Sequence, residues 1–481
     1  MSDVRVDRPG PRIAVPLWLL GAGFALINAI GLGDPSPGNR LLFGAALGVA
    51  VLIATVLAPF AGFLVLSLSC VVSVVVSVGS GERNVMPFDV LLFPLIVATV
   101  REWMRRRSLP IAQLDARSAE LAGTVRRFTR SAWLYVGAAA ASLLVTVWMG
   151  EAAGAFDSAL KLGRVVEGML VFGIGLATIH NERDLGRVIG ALVVGMLLLA
   201  AVNLAGFTMA PITADNTLRR AGMTWFVNEP GWSIGDPNEA GIGLLLVWVV
   251  LLAWQSRRAT AWGWIMMALT LVFMFLTQSR SGLLAWFMFT LLTWRRMPRR
   301  FLVTAAVGIL IVAPFVATIW WERMARTVSA DRGSFEVYTS LVRVYGWFSA
   351  GRMFLSHPIT GVGYLGFRHF SDRFNELGIM LGTCENMYLE VATGMGIIGI
   401  VVFARLFWRT LNLSDVVARH APPDSFAAAL ARLHKPYFIA LAISNLTGDN
   451  WVGLAGISQL ALWCLLLVRA GQLSLRPREP A

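Results

Sequence analysis

Of the 481 residues, 57% are hydrophobic and only 14% charged, with 41 basic against 28 acidic side chains and a formal net charge of +13. A water-soluble domain carries about a quarter charged residues, so this composition excludes a soluble fold. In a chain this apolar the basic excess is read as the cytoplasmic arginines that set membrane topology, and nucleic acid is not expected as a partner.

About 20 apolar residues cross a bilayer. In chain order, that length predicts spans over 13–31, 41–58, 61–79, 86–100, 131–149, 158–179, 188–206, 238–254, 262–279, 281–294, 301–320, 386–408, 435–449 and 452–469. The pair 262–279 and 281–294 also reads as one broken helix, and 435–449 is short and interrupted by "NLTGDN". The expected fold is therefore an all-α, polytopic transmembrane bundle of about 12–14 spans. Cys70 and Cys464 lie inside apolar runs, so with Cys384 as the third cysteine no disulfide framework is expected.

With the N-terminus placed inside and sides alternating, the clusters "REWMRRR" (101–107), "RRFTR" (126–130) and "RRMPRR" (295–300) all fall inside. Both termini are then cytoplasmic. Two long loops fall outside, 207–237 and 321–385. Arginine is disfavoured there, yet Arg219, Arg220, Arg280 and Arg343 occur. Arg280 sits in the tight turn "TQSRS" between two spans. For these four an anion site is the sharper reading, and snorkelling to headgroups or ion pairing the plainer one. Arg323, Arg326, Arg332, Arg368 and Arg373 are expected to pair with the acidic residues around them. The second loop carries an apolar stripe at helical spacing (Phe335, Tyr338, Leu341, Val342, Tyr345, Phe348), which predicts an amphipathic helix on the membrane ended by Pro358. "ITGVGYLGF" (359–367) then reads as tight turns, and Asn386 as the N-cap of the next span.

Four stretches carry a family likeness: "RAGMTWFVNEPGWSIGDPNEAG" (220–241), "LTQSRSGLL" (276–284), "RVYGWFSAGRMFLSHPITGVGYLGF" (343–367) and "ENMYLEVATGMGIIGI" (385–400). In order and spacing they resemble the O-antigen ligase and O-antigen polymerase superfamily of bacterial membrane glycosyltransferases. The resemblance implies a GT-C-like fold in the inner membrane, organised as N-terminal spans (1–206), a core with both outer loops (207–408) and a C-terminal part (409–481). It implies a periplasmic active site, an undecaprenyl-diphosphate-linked oligosaccharide donor and a glycan acceptor, with membrane lipids and polysaccharide-assembly proteins as surroundings. By position Arg220 (or its neighbour Arg219), Arg280 and Arg343 match the family's diphosphate binders.

Ligase-type members carry His-Asn where this chain has Glu385-Asn386. Glu385 is then the expected general base, and the change favours a polymerase over a ligase acting on lipid A core or protein. Glu390, on the same helix, is an alternative base or a partner for an arginine. Tyr388 and His357 are supporting residues, with His357 in the turn before Pro358; His369 is a weaker alternative base. No Asp-x-Asp and no outer His/Cys cluster is present, so no cofactor and no metal are expected, and transfer is read as direct displacement with inversion. The competing class is a flippase of lipid-linked glycans. Transporters place binding groups near the bilayer midplane between repeats, and neither feature is evident.

Overall fold

The computed structural model describes residues 58–71, 74–78, 83–85, 92, 94–101, 116–209, 232–234, 237–257, 259–277, 279–296, 310, 335–375, 381–448 and 456–475. The expected span 13–31 lies outside them, as do 41–58 and 301–320 apart from the single residues 58 and 310. In chain order the elements are α1 (Pro59–Ser69), β1 (Val74–Val78), β2 (Arg83–Val85), α2 (Ala116–Trp148), α3 (Ala152–Thr178), α4 (Glu182–Met209), β3 (Trp232–Ile234) and α5 (Pro237–Gln255). There follow α6 (Ala261–Leu276), α7 (Arg280–Thr293), α8 (Phe335–Ser356), α9 (Phe367–Phe370), α10 (Met387–Leu411), α11 (Leu413–His420), α12 (Phe426–Ser444) and α13 (Gly456–Ser474).

Polar side chains open many of these helices. Thr260, Ser279, Asn386 and Ser425 each accept a hydrogen bond from a backbone N–H in the first turn of α6, α7, α10 and α12, which satisfies donors that have no partner within the helix. Among the described residues, six helical stretches are long and apolar enough to cross a membrane: Ala116–Trp148, Glu182–Ala201, Asn238–Gln255, Met387–His420, Phe426–Ser444 and Gly456–Ser474. α1 and most of α6 are apolar but shorter. The protein is thus a multi-pass, predominantly helical membrane protein. α3 carries Asp157, Lys161, Arg164 and Glu167 along its first half. Lys161 pairs with Asp157 at 3.5 Å and Arg164 with Glu167 at 2.9 Å, and the helix packs against α2 and α13.

Two expectations are revised. The span over 61–79 is an eleven-residue helix followed by a strand. The run "VVVSV" is β-branched and favours extended backbone. β1 is the centre of a three-stranded antiparallel sheet, with Val76 opposite Val85 and Val74 opposite Ile234. The last membrane pair is also longer than predicted, because Ser425 starts α12 well before residue 435.

The core lies where α5 and α13 meet their neighbours. Trp248 stands edge-on to Trp286 and Phe289, and Tyr437 packs against Trp463. His434 is fully buried there. The indole N–H of Trp463 can only donate, so His434 Nδ1 accepts at 2.9 Å and Nε2–H donates to the Thr410 carbonyl at 2.7 Å. In lipid, such packing and interhelical hydrogen bonds hold helices together.

Residues 358–366 run back into the bundle. The amides of Val362 and Gly363 donate to the carbonyls of Thr393 and Gly394, each at 2.8 Å, and the amide of Ile397 donates to Pro358 O at 2.8 Å. Opposite, Thr146 Oγ1 donates to Val362 O, and Ser142 Oγ accepts from the Tyr364 amide. The loop therefore enters a break in α10 at Gly396 (φ 62°), about 9–15 Å below the start of that helix at a rise of 1.5 Å per residue. Irregular backbone is tolerated at such depth when protein satisfies its polar groups. Gly363 has φ 103°, and a Cβ there would lie 1.7 Å from Thr146 Oγ1. The glycines predicted to make turns thus allow a close backbone docking.

Candidate functional site

The contacts sort the described residues onto two faces. One gathers the Gly150 turn, the starts of α5, α7 and α10, the end of α12, and the loop around α9. The other gathers Glu120 with Arg419 and His420, Glu182 with Arg257, and Asp415 with Lys435. The candidate residues within the described chain belong to the first face.

On that face Arg343 and Glu385 come together. The guanidinium Nε and Nη2 of Arg343 both converge on Oε2 of Glu385, with the two side chains 22% and 29% exposed. The backbone explains the meeting. α8 packs on α10, and at Gly346, just beyond Arg343, a Cβ would lie 3.2 Å from Cys384 Cα. The absence of a side chain lets α8 pass close to the loop that carries Glu385.

That loop is fixed from within. Glu385 has φ 47°, a left-handed conformation shared among non-glycine described residues only with Leu365. Such backbone costs about 1–2 kcal/mol, so something must hold it. The Glu385 amide donates to Thr383 Oγ1 at 3.0 Å. That hydroxyl donates to Glu390 Oε1 at 3.1 Å, and the Cys384 amide donates to the same oxygen at 3.0 Å. Glu390, 6% exposed, therefore directs its carboxylate at the loop backbone. Asn386 Oδ1 accepts from the amides of Tyr388 and Leu389 and caps α10, as expected, while its Nδ2 donates to Leu446 O. Tyr388 donates its hydroxyl to Ala442 O at 2.7 Å, and the Met387 amide is shared between the carbonyls of Asn445 and Gly448. The end of α12 thus anchors the start of α10.

Arg280 is the first residue of α7 and is exposed. Beneath it, Ser279 Oγ accepts from the Gly282 amide at 3.0 Å and donates to Asn238 Oδ1 at 2.9 Å. The starts of α5 and α7 are bound side by side, so two positive helix ends and a guanidinium share one place. Arg219 and Arg220 lie outside the described residues.

His357 Nδ1 meets Ser356 Oγ at 2.8 Å and its ring stands edge-on to Phe374, in the turn that ends α8. His369 docks on the start of α3: a Cβ at Gly154 would lie 2.7 Å from its ring, and Nε2 is 3.4 Å from Ser158 Oγ. Burial first, and Arg368 second, push its pKa below the usual imidazole value. Arg368 pairs with Asp157 at 3.2 Å and Arg373 with Glu151 at 3.1 Å. Their partners come from the α2–α3 turn (Glu151) and the start of α3 (Asp157), not from the acidic residues nearby in sequence. Among the described residues, no group of three or more His, Cys, Asp or Glu side chains is placed so that it could hold a metal ion. Sequence reasoning missed Ser279 and Thr383. Ser279 was detectable as a serine at the head of an apolar run with a glycine three residues on. Thr383 acts only through the folded loop and had no such signal.

A family model described as O-Antigen ligase matches residues 265–404. The match runs from within α6 to within α10 and contains Arg280, Arg343, Glu385 and Glu390. None of the curated proteins compared with the chain matches it.

Proposed function

Because residues 265–404 match the model of the O-antigen ligase family and lie in a multi-pass helical membrane protein, we propose that the chain is a membrane glycosyltransferase that polymerises a bacterial polysaccharide. The donor is an oligosaccharide on undecaprenyl diphosphate, the acceptor a hydroxyl of a second glycan, and the reacting face the outer side of the inner membrane. The observation that carries this reading is the pairing of Glu385 with Arg343 at the start of α10, on the face that also bears Arg280. A carboxylate where ligase-type members have His is what favours a polymerase over a ligase.

The chemistry follows from the charges. The bond between the anomeric carbon and the diphosphate oxygen breaks with its electron pair on the diphosphate. Arg280, Arg343 and Arg220 or Arg219 neutralise that charge from fixed positions, and planar guanidinium forks suit phosphate oxygens. Glu385 takes the proton of the acceptor hydroxyl as its oxygen attacks from the opposite side, which inverts the anomeric centre. Nothing in this scheme requires a metal. Thr383 and Glu390 position the base by holding its backbone.

Glu385→Gln keeps the side chain's shape and removes its ability to accept the proton. The transfer rate at saturating donor should fall by about 10²–10⁴-fold. A Gln variant with near wild-type rate would rule out Glu385 as the base.

A further inference from the structure

The proposed roles of Arg343 and Glu385 compete. One is to bind diphosphate and the other to accept a proton, yet in the structure each occupies the other. The Nε and Nη2 donors of Arg343 are directed at the same carboxylate oxygen. A guanidinium offers its N–H groups as edges, and an edge engaged with a carboxylate is not open to a phosphate. An oxygen receiving two charge-assisted hydrogen bonds is likewise a poorer proton acceptor than one left open.

We infer that Arg343 exchanges partners during the reaction: without donor it holds Glu385, and the donor's diphosphate displaces that carboxylate and thereby releases the base. The inference rests on the donor reading above and adds an order to it, donor before acceptor activation.

The geometry confines the exchange to side chains. The Glu385 backbone is fixed by Thr383, by Glu390 through Thr383 and the Cys384 amide, and by the Asn386 cap that follows. Arg343 is carried on a helix packed against the same loop. Rotation of Glu385 away from Arg343 therefore leaves its carboxylate at the mouth of α10. The pair is about one-quarter exposed, so a ligand can reach it. A diphosphate carries more negative charge than one carboxylate and is the stronger partner for the guanidinium. In the transfer step, the freed carboxylate takes the acceptor proton, the acceptor oxygen bonds the anomeric carbon, and the leaving electron pair settles on the diphosphate that Arg343 now holds.

The exchange makes an uncommon prediction, that removing a suspected base tightens binding of the leaving group. Purified full-length protein in detergent is titrated with undecaprenyl diphosphate lacking glycan, for wild type, Glu385→Gln, Arg343→Gln and the double variant. Glu385→Gln should lower the Kd by about three- to thirtyfold, the range for removing a part-buried competing ion pair. In the Arg343→Gln background the same substitution should change the Kd by less than about twofold, because the competition is gone. General relief of negative charge would tighten binding equally in both backgrounds, and that result would overturn the exchange. An unchanged or raised Kd in Glu385→Gln would overturn it as well. Failure of the wild type to bind undecaprenyl diphosphate at all would instead contradict the donor reading beneath it.

Discussion

Glu385 is at once strained and well supported. Its left-handed backbone is tied down by the Thr383 hydroxyl, which is tied in turn to buried Glu390. Strain held in this way tends to collect at functional positions. From its place on the helix, Glu390 is an alternative base or a partner for an arginine. In the structure its carboxylate is engaged by the Cys384 amide and the Thr383 hydroxyl, which makes it a support for the loop. Arg280 belongs to the same scale. It stands exposed at the joined starts of α5 and α7, the kind of place where fixed dipoles and a guanidinium stabilise an anion. Arg280→Ala should cost about 10²–10³-fold in kcat/KM without loss of folded protein, read from initial rates beside a size-exclusion profile. Lys should restore only part, because it supplies a point charge and no fork. Full activity in Arg280→Ala would remove this residue from the donor site.

Among the elements, the re-entrant stretch 358–366 sets the geometry. It fills the break in α10 and ties that helix to α2, so the loop bearing Glu385 rises from a fixed base. Gly363→Ala would press a methyl group onto Thr146 in a backbone conformation that side chains resist. It should lower stability by roughly 2–4 kcal/mol, seen as a drop in the thermal midpoint in detergent. Gly382→Ala is the control, since that glycine is exposed and a Cβ there meets nothing within 4 Å. Equal midpoints for the two variants would contradict the docking. The sequence signalled turns at "GVGYLGF" from its glycines. It did not signal their depth, because the partners Ser142, Thr146, Thr393 and Gly394 come from remote helices. The strand at 74–78 was missed for a related reason. An apolar β-branched run has no period that separates a short span from a strand.

At the scale of the whole molecule, hydropathy alone located most helices among the described residues, because about 20 apolar residues in a row have few other uses. Counting from the arginine clusters predicts which ends share a side, and the contacts group them in the same way. Arg257, Arg419 and Lys435 fall on one face, and Arg280, Arg343 and Glu385 on the other. Pairing was less legible. Arg343 and Glu385 are separated by 42 positions, and only the packing of α8 against α10 shows that they touch. The central claim is chemical transfer at the face that bears Arg280, Arg343 and Glu385, and one measurement addresses it directly. The purified protein in liposomes, in excess chelator, is supplied with undecaprenyl-diphosphate-linked oligosaccharide, and glycan length and lipid products are followed together. The account predicts longer glycan and one undecaprenyl diphosphate released for each linkage formed; donor carried across the bilayer with its glycan unchanged in length would contradict it.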